Sequence, residues 1–405
     1  MNKKLYINSL KPFIAALALI FMFSSCSEDP GSLIDQEIAV AEFENLESAK
    51  PNPKKEYSFV GPMFDIAALP NGAILAADFE TIKEIHRNGV REITTLPLIQ
   101  GPGAGGETES TFINGLEPIG SGNFFAVRSG LDLALGAALF RATRGNTRVV
   151  GDIESFTLGS WADGGEAGQS PSWKSFNCEP GGGYTPGPQT NPYHLTALSG
   201  SEVLIADAAG NSLLYAKTNG KVEVVATFGP VEDSGVPIAQ FSLEDGTPCY
   251  VEPVPTAVSV GPDGAYYVGE LNGAHPANFA GEATPNGLAS VWRVEADSRN
   301  VECPSDKCEK VVTGLNSVID IEFGPDGYLY VVEFEKNGFL AAVDPAISLD
   351  GGTVKKCDVD TDSCEIIEGG DGTLFLPGAI TFDKWNNLWL LDNVFAPTVR
   401  QISSN

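Results

Sequence analysis

One pattern recurs along this chain and limits the folds open to it. A strand of alternating apolar residues meets a tight turn, and a second β-rich strand ends in a charged residue. The clearest copies are 257–270, turning at Gly261-Pro262-Asp263-Gly264, and 320–333, turning at Gly324-Pro325-Asp326-Gly327. Further copies span 64–78, 194–207 and 379–392, and a degenerate one spans 116–128 with its turn at Ser121-Gly122. Period-two alternation predicts strands, and Asp-Gly or Asn-Gly between them predicts hairpins. Third and fourth strands are expected after most copies, for example 212–216 with 221–227 and 290–294 with 310–313. One such unit cannot bury both of its faces, whereas a closed ring of units can. The expected fold is therefore all-β, a six-bladed β-propeller of four-stranded antiparallel blades. The last copy lacks an outermost strand, and the strand-like Glu56-Tyr57-Ser58-Phe59-Val60 is expected to supply it, closing the ring from the N-terminal side.

With 405 residues, 42% of them hydrophobic, the chain has material for one large propeller core. Its formal net charge of −28 argues against nucleic-acid binding, because phosphate contacts require clustered Lys and Arg. Two insertions, 159–189 and 231–254, interrupt the ring between the fourth strand of one blade and the first of the next. The first carries Trp161, Trp173 and Tyr184, residue types suited to a contact surface.

The N-terminus reads as a targeting segment. Lys3, Lys4 and Lys11 precede an apolar run over 12–23, too short to span a bilayer comfortably. The run ends in Phe23-Ser24-Ser25-Cys26, which resembles a bacterial lipobox, and Ser27-Glu28-Asp29 resembles the acidic export tag of surface lipoproteins in Bacteroidetes-type bacteria. That resemblance implies a signal peptide at 1–25, lipidation of Cys26, an acylated tether at 26–55 and a propeller at 56–405. The expected location is the cell envelope, as an outer-membrane lipoprotein on the periplasmic or the outer surface. The membrane is then a partner through the anchor, and a monomer is expected. Six further cysteines suit an oxidising compartment. Cys303 and Cys308 are expected to pair, as are Cys357 and Cys364, which leaves Cys178 for Cys249. Zinc is the other use of such residues, but the spacings lack a CxxC form and no His lies nearby.

The repeat motifs resemble NHL-like propellers, and most closely the ScyD/ScyE family named after scytonemin biosynthesis. The resemblance covers roughly 57–403. It is carried by Asn191-Pro192-Tyr193-His194, by Ile205-Ala206-Asp207-Ala208-Ala209-Gly210-Asn211, by Gly261 to Leu271 and by Ser317 to Gly327. His194 stands where the family pattern has Gly. The family name implies a pigment pathway and supplies no defined reaction.

Propeller geometry turns the repeat into rings around an axis. The inner ring is Asp65, Asn114 or Gly115, His194, Ala257, Asp320 and Ala379; the outer ring is Asp78, Arg128, Asp207, Glu270, Glu333 and Asp392. The outer acids suit turn capping or, read functionally, a negative funnel for cations. Asp65, His194 and Asp320, with Asp207, Glu270 and Glu333, are the candidate ligand-binding residues at the channel mouth. Asp65, Asn114 and Asp320 are candidate calcium ligands, as in the related lactonase and strictosidine synthase-like propellers. His194 is then the candidate catalytic base. Asp358, Asp360 and Asp362 imitate the start of a calcium loop but lack its Gly and late Glu, and read as a solvated turn. The chain has no Gly-rich phosphate loop after a strand, no HExxH and no GxSxG. Two functions follow. The first is a propeller that binds a small ligand or a protein partner at its mouth. The second is a calcium-dependent hydrolase of the lactonase or strictosidine synthase-like kind.

Overall fold

The computed structural model describes residues 56–78, 80–86, 88–97, 99–102, 108–129, 136–162, 190–229, 241–242, 248–249, 253–272, 287–342 and 347–402. Six four-stranded antiparallel blades follow one another around an axis. Blade 1 comprises Met63–Ala68, Ile74–Asp78, Thr81–His86 and Gly89–Thr95, and blade 2 comprises Phe112–Pro118, Asn123–Ser129, Ala138–Thr143 and Asn146–Asp152. Blade 3 is Pro192–Ser199, Glu202–Asp207, Ser212–Lys217 and Val222–Phe228; blade 4 is Pro255–Val260, Tyr266–Glu270, Ala289–Val294 and Cys308–Leu315. Blade 5 is Val318–Phe323, Leu329–Glu333, Thr353–Asp358 and Ser363–Gly369. Blade 6 takes Ala379–Phe382, Leu388–Asp392 and Thr398–Ile402 from one end of the chain and Glu56–Ser58 from the other. The expected closure is present, with Tyr57 opposite Val399. Tyr57 also stacks on Trp389 and donates its hydroxyl to the His86 carbonyl in blade 1, so the closing strand ties the last blade to the first.

Hairpin chemistry explains the repeat. Gly264 and Gly327 hold φ near +80° and +84°, conformations that a Cβ disfavours. Asp263 and Asp326 accept the amides of Ala265 and Tyr328 two residues on. Asp263 also binds Arg293 and Asp326 binds Lys356, linking each turn to its third strand.

Apolar clusters fill the seams between neighbouring blades. Leu75, Leu116 and Phe124 join blades 1 and 2, and Phe125, Leu139 and Leu195 join blades 2 and 3. Leu204, Phe228 and Trp292 join blades 3 and 4, and Tyr267, Val291 and Ile321 join blades 4 and 5. Ile66 and Ile74 meet Trp389 and Leu391 at the closing seam. Burial of each large aliphatic side chain contributes roughly 1.5–3 kcal/mol, and each blade receives that burial from both neighbours.

Three features exceed the sequence reading. A helix, α1 (Ile153–Ala162), leads into the first insertion, with Asp152 accepting the Ser155 amide as its cap. Val301–Cys303 adds a parallel fifth strand to the outer edge of blade 3, covering an edge that would otherwise be open. Two short hairpins form, Gln100–Pro102 with Thr108–Ser110 and Phe241–Ser242 with Pro248–Cys249.

The Cys303–Cys308 and Cys357–Cys364 disulfides are both formed. The Cys178–Cys249 pairing lies outside the described side chains, as do the signal peptide, Cys26, the tether and most of both insertions. Asp358–Asp362 forms an exposed turn, as expected, and Asp362 also accepts the amide and hydroxyl of Thr313 from blade 4.

Candidate functional site

The inner strands contain a bulge near the start of each of the first five blades. Register shifts between Met63 and Ile66, Ile113 and Gly115, Pro192 and His194, Pro255 and Ala257, and Val318 and Asp320. An extra residue re-aims the side chains on either side of it. In blade 2 this settles the ring position: Gly115 occupies it and Asn114 is the bulged residue. Asn114 donates its amide to Ser129 Oγ, to Asn191 Oδ1 (2.9 Å) and to the Pro192 carbonyl (3.2 Å).

Below the bulges, large polar and small residues alternate. Blades 1, 3 and 5 carry Asp65, His194 and Asp320; blades 2, 4 and 6 carry Gly115, Ala257 and Ala379. A narrow axis cannot hold six long side chains, and a Cβ on Gly115 would meet Leu195 and the Tyr193 carbonyl within 3 Å. Each polar member reaches across to the exposed inner edge of the next blade and accepts its amide. Leu116 N–H donates to Asp65 Oδ2 (2.6 Å), Val258 N–H to His194 Nδ1 (3.5 Å) and Ile380 N–H to Asp320 Oδ2 (2.8 Å). His194 Nε2 lies 3.3 Å from Asp320 Oδ1 and 3.8 Å from Asp65 Oδ1.

A second layer repeats this device two residues along the strands. Ala197 N–H donates to Glu117 Oε1 (3.3 Å), Phe382 N–H to Glu322 Oε1 (3.3 Å) and Ala68 N–H to Thr381 Oγ1 (3.1 Å). Glu117 in blade 2 and Glu322 in blade 5 stand on opposite sides of the ring. Both were missed in the sequence reading, although stepping two residues from the Gly115 and Asp320 ring positions reaches them.

The electrostatics follow from burial. Asp65 is raised to about 7, first by loss of hydration and then by Asp320, against the opposing pull of His194. Burial also raises Asp320, again opposed by His194. Glu117 is pushed up to about 7, and Glu322 well above the carboxylate range, in both cases chiefly by lost hydration. Desolvation lowers His194, but Asp320, Asp65 and Glu117 together outweigh it and the net shift is upward. Among the described residues no Lys or Arg pairs with any of these four carboxylates. One acceptor is left over: Asp65 Oδ1 is buried and receives no hydrogen bond.

Exposure shows how this column meets solvent. Asp65 and Asp320 are 3% and 2% exposed, whereas Glu117 and Glu322 are half-buried. Above the first layer, Phe64, Phe112, Tyr193, Leu271 and Ile319 from five blades belong to one buried apolar cluster, with Phe64 edge-on to both Phe112 and Tyr193. The sequence reading placed the mouth at that end. Among the described residues of the column, the more accessible side chains are Glu117 and Glu322, on the side where the inner hairpins turn.

The outer-ring acids are occupied by the chain's own donors. Asp207 takes the Thr190 hydroxyl and the amides of Asn191 and Gly210, and burial lifts it to about 6. Glu270 accepts the Trp292 indole N–H and pairs with Lys310. Glu333 accepts the Asn316 amide, the Thr353 hydroxyl and Lys355. Arg128, the one base in this ring, donates to the carbonyls of Gly136 and Pro97 and lies over Phe140. Among the described residues no group of three or more His, Cys, Asp or Glu side chains is arranged to hold a metal ion. The donors named for calcium fit it poorly: the Asn114 amide is directed to blade 3, and His194 stands between the two aspartates.

These features define a six-bladed β-propeller with a buried, acid-lined axis. No family model and no curated protein matches the chain. Among solved structures, it is similar to a protein of unknown function from Bacteroides thetaiotaomicron VPI-5482, with 10% identity, 86% of this chain and 72% of the other covered, and a TM-score of 0.50. Two structures titled glucose dehydrogenase also resemble it. One shows 12% identity and the other 10%, each covering 86% of this chain and 98% of its own with a TM-score of 0.50. At such identities the likeness establishes the fold alone.

Proposed function

We propose that this protein is exported, held on the envelope through acylated Cys26, and binds a small ligand at the propeller axis. The observation that carries the binding reading is Asp65 Oδ1, a buried carboxylate oxygen without a hydrogen bond, facing His194 and Asp320. Leaving a buried polar atom unpaired costs about 1–3 kcal/mol, a cost that a bound donor removes. The ligand therefore presents a hydrogen-bond donor or a positive charge to Asp65 and approaches from the hairpin face. The resemblance to ScyD/ScyE propellers agrees with this architecture and adds no reaction. Disulfides within blade 5 and in the excursion of blade 4 support the exported location.

Calorimetric titration with butylamine and with calcium chloride, on the intact protein and on Asp65→Asn, tests the reading. Binding of a probe to the native protein and its loss in the variant is the expected result. No binding of either probe would remove the axis from consideration. Stoichiometric calcium, lost with Asp320→Asn and accompanied by lactone cleavage, would favour the calcium-dependent hydrolase instead. The anchor is tested separately by palmitate labelling, which Cys26→Ala should abolish.

A further inference from the structure

The axis carries four carboxylates in two layers and one imidazole between the upper pair. Asp65 and Asp320 form the upper layer with His194; Glu117 and Glu322 form the lower one, from blades 2 and 5. The layers are electrostatically continuous, since Glu117 acts on His194 and on Glu322, and Asp320 acts on Glu322. Among the described residues the column has no ammonium or guanidinium partner of its own. Elsewhere some buried acids have such partners, Glu84 with Arg91 and Arg144, Glu333 with Lys355 and Glu270 with Lys310, while Asp207 and Asp383 are held by several neutral donors each.

From this geometry we infer that the axis takes a linear diammonium ligand, one cationic end beside Asp65 Oδ1 and the other between Glu117 and Glu322. This rests on the axial binding reading above and names the ligand class for it. Three observations support it. The Asp65 oxygen, which receives no hydrogen bond, lies 3.8 Å from His194 Nε2 and belongs to a residue 3% exposed, supplies a receptor for the inner end. The half-buried glutamates supply a receptor on the hairpin side. The spacing sets the length. Each layer is two residues from the other along the inner strands, about 6.6 Å at the usual rise. An extended chain of four methylenes holds its two nitrogens about 6 Å apart. Thr196, Ser259 and Thr381, at the same level as the glutamates, add hydroxyl groups for the outer ammonium. A divalent metal fits less well, because its charge is concentrated at one point and the acids are distributed over two levels.

The test is calorimetric titration of the native protein at pH 8 with butylamine, propanediamine, putrescine and hexanediamine, together with calcium chloride. Putrescine should bind more tightly than butylamine by about tenfold or more, and more tightly than the shorter and longer diamines. Glu117→Gln combined with Glu322→Gln keeps an acceptor for the Ala197 and Phe382 amides. It should weaken putrescine by a larger factor than it weakens butylamine, bringing the two affinities together. Asp65→Asn should weaken both. Each variant's thermal unfolding and circular dichroism establish that it is folded. Equal binding of butylamine and putrescine, no dependence on chain length, or full putrescine affinity in the double variant would each overturn the diammonium assignment. If butylamine still required Asp65, the axial binding reading would survive that result. Silence of every probe in the native protein would overturn both.

Discussion

Replacing Asp65 with Asn removes a charge from the axis while keeping an oxygen for the Leu116 amide. Its effect should depend on pH in a way an ordinary packing mutation does not. Asp65 moves from 3.8 to about 7 on folding, so between those values the folded chain binds a proton that the unfolded chain has released. Stability contributed by this group is therefore present at low pH and lost as pH rises through about 7. Between pH 5 and pH 7 the difference spans about two units, at roughly 1.4 kcal/mol each, and no further loss comes above the folded value. The Asn variant lacks this loss. His194 acts in the same direction: its raised value makes it a group whose contribution fades as pH rises, and the variant removes one of the charges that raises it. Relative to the native protein, Asp65→Asn should gain about 3 kcal/mol on going from pH 5 to pH 8. Urea unfolding followed by tryptophan fluorescence at both pH values measures this directly. A difference between the two proteins that is the same at pH 5 and pH 8 would show that Asp65 is not a desolvated acid, and the electrostatic account of the axis would fall with it.

Other consequences concern the scaffold. Tyr57→Ala removes the stack on Trp389 and the hydroxyl bond to blade 1, and should destabilise by about 2–3 kcal/mol, read as a lower urea midpoint. Replacing Cys357 and Cys364 together by Ser should cost about 2 kcal/mol, and reductant should lower the melting temperature of the native protein but leave the contribution of this pair absent in the variant.

The ring of blades was legible in the sequence because alternation and turn glycines are local signals. Tyr266 to Glu270 and Leu329 to Glu333 read as strands without any knowledge of their neighbours. The closing strand at Glu56–Ser58 was also legible, since a last blade short of one strand leaves a vacancy that only a distant segment can fill. The bulges were not. A bulge changes backbone register without changing residue type, so Asn114 and Gly115 could not be told apart until the pairing of Ile113 with Arg128 and of Gly115 with Val127 was seen. The outer acids illustrate a different limit. Their place at strand ends was readable, but their partners depend on where Thr190, Trp292 and Lys355 lie in space. Glu117 and Glu322 were hidden because an acid near a hairpin turn reads as a solvated residue until its bond to the Ala197 or Phe382 amide of the next blade is seen. The apolar cluster of Phe64, Phe112 and Tyr193 was hidden for the reason that applies to any long-range packing: its members come from different blades.

A crystal structure of the protein grown at pH 8 in the presence of putrescine puts the account to its most direct test. Continuous density running along the axis, from hydrogen-bonding distance of Asp65 Oδ1 to the carboxylates of Glu117 and Glu322, is the outcome this description requires. An axis without the diamine at saturating concentration, or Asp65 turned away from His194 and Asp320, would contradict it.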